Sequence, residues 1–313
     1  MSGILIVDKP EGLTSHDVIY QVRKILKIKA VGHTGTLDPF ATGVLVILTG
    51  KATRLAQFLD KAEKEYLATI QFGFETDTGD RTGLRIADCG LRIDEINERL
   101  TLEKIEHALS EFCGEIWQTP PMYSAKKIAG KKLYELARQG QKIERQPVKI
   151  KIFKLELVKD FEKQSAIRNP QSAIVNVVCS AGTYIRVLAE DIGKKLGIGA
   201  HLAELRRTRA GSFGIEQAVT LAELENLVQE NALNKVLISP NQALAHLPFV
   251  KLDEIQVSRV SNGMKISLEN QIFNKDQFVR MCDARENLVA VGVFEEETQT
   301  IQPRVVLSSS EKA

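Results

Sequence analysis

The stretch GHTGTLDPFATGVL, residues 32–45, holds one carboxylate, Asp38, and one imidazole, His33, among small and apolar residues. A lone carboxylate between a glycine-rich turn and an apolar strand has two readings. Aspartate before proline opens turns, because proline confines the preceding residue to extended conformations and the carboxylate accepts backbone N–H bonds. An ionised carboxylate can also add to an electrophilic carbon or take a proton. Gly32, Gly35 and Gly43 permit close backbone approach or positive φ, and His33 and Thr36 add polarity. The stretch lies between a predicted helix and a predicted strand, where chemistry tends to sit. These residues alone leave both readings open.

The elements that must hold this stretch are legible on either side of it. GILIVDK reads as a buried strand ended by the turn KPEGLTS. Ser15 is the expected N-cap of the helix HDVIYQVRKILKI, where Val18, Ile19, Val22, Ile25 and Leu26 form one apolar stripe. After the glycine-rich stretch come the strand GVLVILTG, the short helix KATRLAQFL, the strand KEYLATIQFG and the polar turn ETDTGDRTG. TLEKIEHALSEFCG is a helix with half a capping box, since Lys104 stands where Glu would complete it. KKLYELARQG is a short helix stopped by Gly140.

PVKIKIFKLELV and AIVNVVCS alternate as strands around a long exposed loop, residues 159–171. TYIRVLAEDIGKKLG is a helix whose first turn presents Tyr184 and Arg186; HLAELRRTRAGSFGI is strand-like, and TLAELENLVQENAL is helical. The class is therefore α+β, a large mixed and mainly antiparallel sheet with flanking helices. Beyond LISPNQALAHLPFVKLD the texture changes to short strands, QIFNKDQFVRMCD and NLVAVGVFEE, separated by turns. That pattern predicts a small β-barrel-like unit of roughly 60 residues. The expected organisation is a main domain over 1–240 and a small one over 248–308.

Composition narrows the class of function. The chain has 313 residues, 43% hydrophobic and 26% charged, enough for a sizeable core. Net charge is +2, with basic clusters in RKILKIK, SAKKIAGKK, RQPVKIKIFK, GKKLG and ELRRTRAG and acidic runs elsewhere, in DEINERLTLEKIE, LAELENLVQE and FEEE. This asymmetry suits a surface that meets phosphates, although a solvated charged face has the same composition. The four cysteines form no CxxC pair, and the histidines show no metal-ligand spacing, so buried free thiols and no metal are expected. The N-terminus lacks a signal peptide, and no stretch approaches the ~20 apolar residues of a membrane span. A cytoplasmic protein is expected.

GHTGTLDPFATGVL resembles the catalytic motif of the TruB family, the tRNA pseudouridine-55 synthases. ILIVDKPEGLTSHDVI resembles the family's KPxGxTS motif, and KEYLATIQFG followed by TDTGD its tyrosine-bearing strand and loop. PPMYSAKKIAGKKLYELARQG and CSAGTYIRVLAEDIGKKLGIGAHLAELRRTRAG complete a series covering residues 3 to about 215.

The resemblance implies the pseudouridine synthase fold and an isomerase that flips one T-loop uridine out of its stack. It breaks the glycosidic bond and rejoins the base through carbon, without cofactor or metal. Asp38 matches the catalytic aspartate, Arg186 the arginine that pairs with it and favours its ionised form, and Tyr66 the active-site tyrosine. Tyr184 and Leu205 match substrate-contacting positions, and His33 the side chain inserted near the extruded nucleotide. Lys9 is expected among the substrate-binding residues and, with Pro10, matches positions that support the family's catalytic loop from below. Lys126 falls in the segment of about 120–145 that resembles the family's T-loop clamp. SAKKIAGKK and RRTR are the best candidates for phosphate contacts.

The sequence departs from the pattern at Ala181, where the family often has lysine, and in the length of the 159–171 loop. The C-terminal unit resembles a PUA-type RNA-binding domain loosely. The expected partner is the T-arm stem-loop of tRNA, bound by a monomer. Two rival functions follow from the same features. A guide-RNA-directed enzyme of the dyskerin type is expected to carry an N-terminal extension, whereas the first motif here begins at residue 3. A non-catalytic tRNA-folding chaperone would not need Asp38, Tyr66 and Arg186 together.

Overall fold

The computed structural model describes residues 1–88, 90, 92–124, 126–128, 130–141, 143–158, 171–267 and 273–307. Among them, nine strands form one sheet. Its path runs Gly3–Lys9, Thr42–Thr49, Ala200–Ala210, Lys64–Phe72, Ser172–Cys179, Val148–Leu157 and Gly114–Gln118. Val31–Thr34 pairs with Thr42–Thr49, and Phe213–Gly214 with Ala200–Ala210. All pairings are antiparallel except one short parallel junction, where Thr42 and Gly43 meet Arg206 and Arg207. The α+β class with a mixed, mainly antiparallel sheet is what the sequence predicts.

The Lys64–Phe72 strand shows how sequence becomes packing. Its alternate residues Tyr66, Ala68, Ile70 and Phe72 are buried. They join Ile105 and Leu109 of the helix Leu102–Glu111, and Leu188 and Ile192 of the helix Ile185–Leu196, in one core. Each fully buried aliphatic side chain there contributes about 1.5–3 kcal/mol relative to exposure. The parallel junction depends on Gly43. Its φ is +99°, and a Cβ there would lie 2.2 Å from the Arg207 carbonyl oxygen, so only glycine fits. Gly35 also has positive φ, at +67°, whereas Gly32 lies in the Val31–Thr34 strand and needs none.

One cap differs from the sequence expectation. Thr14, not Ser15, caps the helix Ser15–Leu26, in a reciprocal capping box with Asp17. Ser15 is buried instead. Its Oγ accepts the Leu37 N–H at 2.9 Å and donates to the Leu37 carbonyl at 3.2 Å, pinning the residue before Asp38. Thr101 caps Leu102–Glu111 through the Lys104 N–H alone, as half a capping box requires.

Beyond residue 248, five strands form a second sheet in the order Phe249–Lys251, Phe278–Cys282, Leu288–Glu295, Thr300–Val306 and Ile266–Ser267. Of the expected strand 271–283 the structure forms Phe278–Cys282, and 271–272 lie outside the described residues, as does 159–170 of the long loop. One face buries Val279, Met281, Phe294 and Ile301 in a core of its own. Val291, Val305 and Leu307 instead share a core with Ile4, Leu48, Leu55 and Leu244, and Arg280 reaches across to the carbonyls of Asn241 and Leu247.

Among the described residues no helix is long and apolar enough to cross a membrane. Cys179 and Cys282 are buried free thiols as expected; Cys113 is exposed, and Cys89 lies outside the described residues.

Candidate active site

Three elements converge on Asp38. The Thr42–Thr49 strand anchors the loop that carries it, and Lys64–Phe72 brings Tyr66. The helix Ile185–Leu196 brings Arg186 in its first turn, next to Tyr184 at the N-cap. The cleft they enclose has a volume of about 330 Å3, and Asp38, Tyr66, Tyr184, Arg186 and Leu205 all line it. Ala181 lines it too, where a lysine was the family expectation.

Arg186 is 4% exposed and grips the Asp38 carboxylate with two nitrogens, Nε to Oδ2 at 2.9 Å and Nη2 to Oδ1 at 3.3 Å. This is the bidentate fork that only arginine offers. The guanidinium is itself fixed from the other side, donating to the carbonyls of Thr78 at 2.8 Å and Tyr123 at 2.7 Å. Asp80, 4% exposed, lies 3.6 Å from Nη1. Its carboxylate accepts hydrogen bonds from Thr78, Thr82 and the Thr82 N–H. Sequence reasoning missed Asp80. Its only sign was the second aspartate of TDTGD, in a stretch read as a polar turn.

The Asp38 side chain is 35% exposed, open enough toward the cleft to meet a substrate. Burial nevertheless raises its pKa above the ordinary aspartate value, and Asp80 pushes the same way, while Arg186 and Lys9 oppose the rise. The expectation that the guanidinium favours ionisation therefore holds for its own effect, but burial outweighs it. A raised pKa favours the protonated form, so the ionised carboxylate is lost as pH falls through that value. The acid limb of kcat/KM is expected above the pH at which an ordinary aspartate titrates. A pH–rate profile that stays flat down to the ordinary aspartate range would contradict this.

Lys9 departs from a substrate-contacting role. It is fully buried, and its ammonium donates to the carbonyls of Pro10, Leu13 and Pro39 at 2.8, 2.6 and 3.1 Å. All three protons are taken, so it braces the Asp38 loop rather than reaching for RNA. Burial brings its pKa down to about 8.

His33 lies outside the lining of the cleft. It is half-buried, edge-on to His16 at 5.7 Å between centroids, with Nδ1 enclosed and unpartnered. Burial lowers its pKa to about 4, leaving it neutral at physiological pH. Lys126 is half-buried, also away from the cleft lining, and its carbonyl accepts the Leu133 N–H at 2.9 Å.

RRTR is not the free phosphate-binding surface that its composition suggests. Arg206 is paired with Asp8, and Arg209 with Glu63 and Glu65. Arg207, 1% exposed, donates to the carbonyls of Val44 at 2.7 Å and Gly35 at 2.8 Å. The carboxylates come from distant parts of the chain, Asp8 in the Gly3–Lys9 strand and Glu63 and Glu65 at the start of Lys64–Phe72, which a local charge count does not see. Among the described residues no three His, Cys, Asp or Glu side chains gather in a metal-binding group.

With this geometry in place, the family comparison decides the assignment. The model of the TruB family pseudouridylate synthase N-terminal domain matches residues 23–185, and that of the tRNA pseudouridylate synthase B C-terminal domain matches 186–245. The chain belongs to the TruB family of pseudouridylate synthases.

Similar curated proteins include the tRNA pseudouridine synthase B of Solibacter usitatus, 42% identical over 295 residues, 93% of this chain and 95% of that one. That of Bacillus cytotoxicus is 40% identical over 291 residues, 93% of this chain and 92% of its own. A solved H/ACA RNP bound to a substrate RNA containing 2′-deoxyuridine matches with a TM-score of 0.71 at 26% identity. The match covers 99% of this chain and 86% of that one. A Cbf5-Nop10-Gar1 complex gives 0.70 at 29% identity, covering 98% and 85%.

Proposed function

We propose that this TruB family member isomerises uridine to pseudouridine at position 55 in the T-loop of tRNAs. The observation that carries the reading is the bidentate Arg186–Asp38 pair facing Tyr66, Tyr184 and Leu205 across one cleft. A carboxylate held in one orientation can act at the anomeric carbon of a flipped nucleotide, either by adding to it or by taking the neighbouring sugar proton. Tyr66 and Leu205 supply the flat and apolar walls that a base needs. Identity near 40% over nearly the full length to proteins named tRNA pseudouridine synthase B supports tRNA as substrate over the H/ACA complexes at 26–29%.

In this reading His33, neutral and planar beside the loop, fills the place left by the extruded base. Segment 120–145, with Lys126, grips the T-loop. Residues 1–240 are the catalytic domain, and 248–308 are a PUA-like domain that adds RNA contacts. The enzyme works as a cytoplasmic monomer and needs no cofactor or metal.

Incubation with unmodified tRNA, followed by carbodiimide mapping, is expected to place pseudouridine at position 55; modification elsewhere or none would overturn the reading. Binding should weaken steeply with salt, with log K falling against log salt at a slope of about −3 or steeper, because phosphate contacts release counterions. A flat salt titration would count against a phosphate-binding surface.

A further inference from the structure

Gln118 is the last residue of the strand Gly114–Gln118, opposite Val148 in the sheet, and it is buried, at 2% exposure. Its amide makes two bonds to one backbone unit. Nε2 donates to the Tyr184 carbonyl at 3.0 Å, and Oε1 accepts the Tyr184 N–H at 2.8 Å. Among side chains only an amide presents a donor and an acceptor side by side, so Gln118 holds Tyr184 as a neighbouring strand would.

Tyr184 has need of such a partner. It is the N-cap of Ile185–Leu196, in extended conformation, and its own side chain makes no capping bond. Two residues on is Arg186, so the backbone that Gln118 fixes is the base from which the guanidinium reaches Asp38. The same stretch of chain also touches Arg186 directly. Tyr123 gives its carbonyl to Arg186 Nη2 at 2.7 Å, and that nitrogen also reaches Asp38 Oδ1 at 3.3 Å. Between Gln118 and Tyr123, the Pro120 carbonyl accepts from Arg145 Nη1 at 3.0 Å, which closes the base of the segment. Residues 118–123 therefore hold the start of the helix at two points, while Gln118 itself lies outside the cleft lining.

Given the proposed function, we propose that Gln118 is a positioning residue for the uridine reaction: its amide fixes the Tyr184 backbone and so sets the direction from which Arg186 grips the Asp38 carboxylate. Gln118 acts through Arg186 and moves no proton itself. The first residues of segment 120–145 then belong to the catalytic scaffold as well as to the grip on RNA.

The test reads rate, affinity and pH dependence together. Gln118→Met, close to glutamine in length but able to make neither bond, is expected to slow single-turnover conversion of a T-arm stem-loop by about 10- to 100-fold. The upper figure is the scale of a ~1 Å misplacement at the reacting atoms. The Kd for the RNA should change by less than about threefold. The acid limb of conversion should move to higher pH, because Arg186 lowers the Asp38 pKa and a slackened fork lowers it less. Combined with Arg186→Lys, the loss should fall well short of the product of the two single losses, since both act on one fork; multiplied losses would overturn the proposal.

Should Gln118→Met fail to fold, Gln118→Glu enters the same cycle. It keeps the bond from the Tyr184 N–H, loses the one to the carbonyl, and is expected to slow conversion by about three- to tenfold. A melting temperature that falls while rate and acid limb stay at wild-type values would make Gln118 structural only. Weakened RNA binding at an unchanged rate would make it a support of the clamp, and either result would overturn the proposal. Wild-type protein that leaves uridine unconverted would sink the proposed function itself, an outcome distinct from all of these.

Discussion

Asp38→Asn is expected to lower conversion of a T-arm stem-loop by more than about 10⁴-fold, the scale of removing a reacting group, while the Kd for the RNA changes by less than about threefold. The amide nearly matches the carboxylate in shape, so the loop held by Ser15 and Lys9 stays in place. It cannot attack or accept a proton, and one of its two terminal atoms now donates toward a guanidinium that also donates. Carbodiimide mapping measures conversion, and filter binding measures affinity. Undiminished conversion would remove Asp38 from the chemistry; equal loss of both would make it a binding residue.

Arg186→Lys is expected to slow turnover by about 10²-fold, comparable to a misplacement of ~1 Å at the reacting atoms. An ammonium has three protons at one point and cannot span both Asp38 oxygens while serving the Thr78 and Tyr123 carbonyls and facing Asp80. Arg186→Gln goes further. It leaves Asp38 and Asp80 facing each other without their cation, and breaking such a buried pair costs about 3–5 kcal/mol. Its melting temperature should fall accordingly, and its acid limb should move higher still, since Arg186 lowers the Asp38 pKa. Wild-type turnover in Arg186→Lys would show that the fork does not aim the carboxylate.

What could be read from the sequence was what local pattern determines. The apolar stripe of Val18, Ile19 and Val22 marks a helix wherever it folds, and the alternation of Tyr66, Ala68, Ile70 and Phe72 marks a strand with one buried face. The motif carrying Asp38 and the helix start carrying Arg186 were recognisable by resemblance, and their pairing followed.

The misreadings share one cause, partners that come from distant parts of the chain. Thr14 and Ser15 are equally good caps in isolation. The choice falls to Thr14 because the Leu37 backbone claims Ser15. RRTR reads as a cationic surface until Asp8, Glu63 and Glu65 arrive from distant parts of the chain. Asp80 reads as a turn residue until its hairpin folds over the helix that carries Arg186. Lys9 reads as a substrate-binding residue and is spent on three carbonyls instead.

The C-terminal strands share their apolar interior with the first strands of the chain, through Val291, Val305 and Leu307 against Ile4 and Leu48. A shortened descendant that discarded its tail would therefore bare a greasy seam along the opposite terminus. Heredity must keep both ends or rebuild the seam, so the RNA contacts proposed for the C-terminal unit cannot be shed without also threatening solubility.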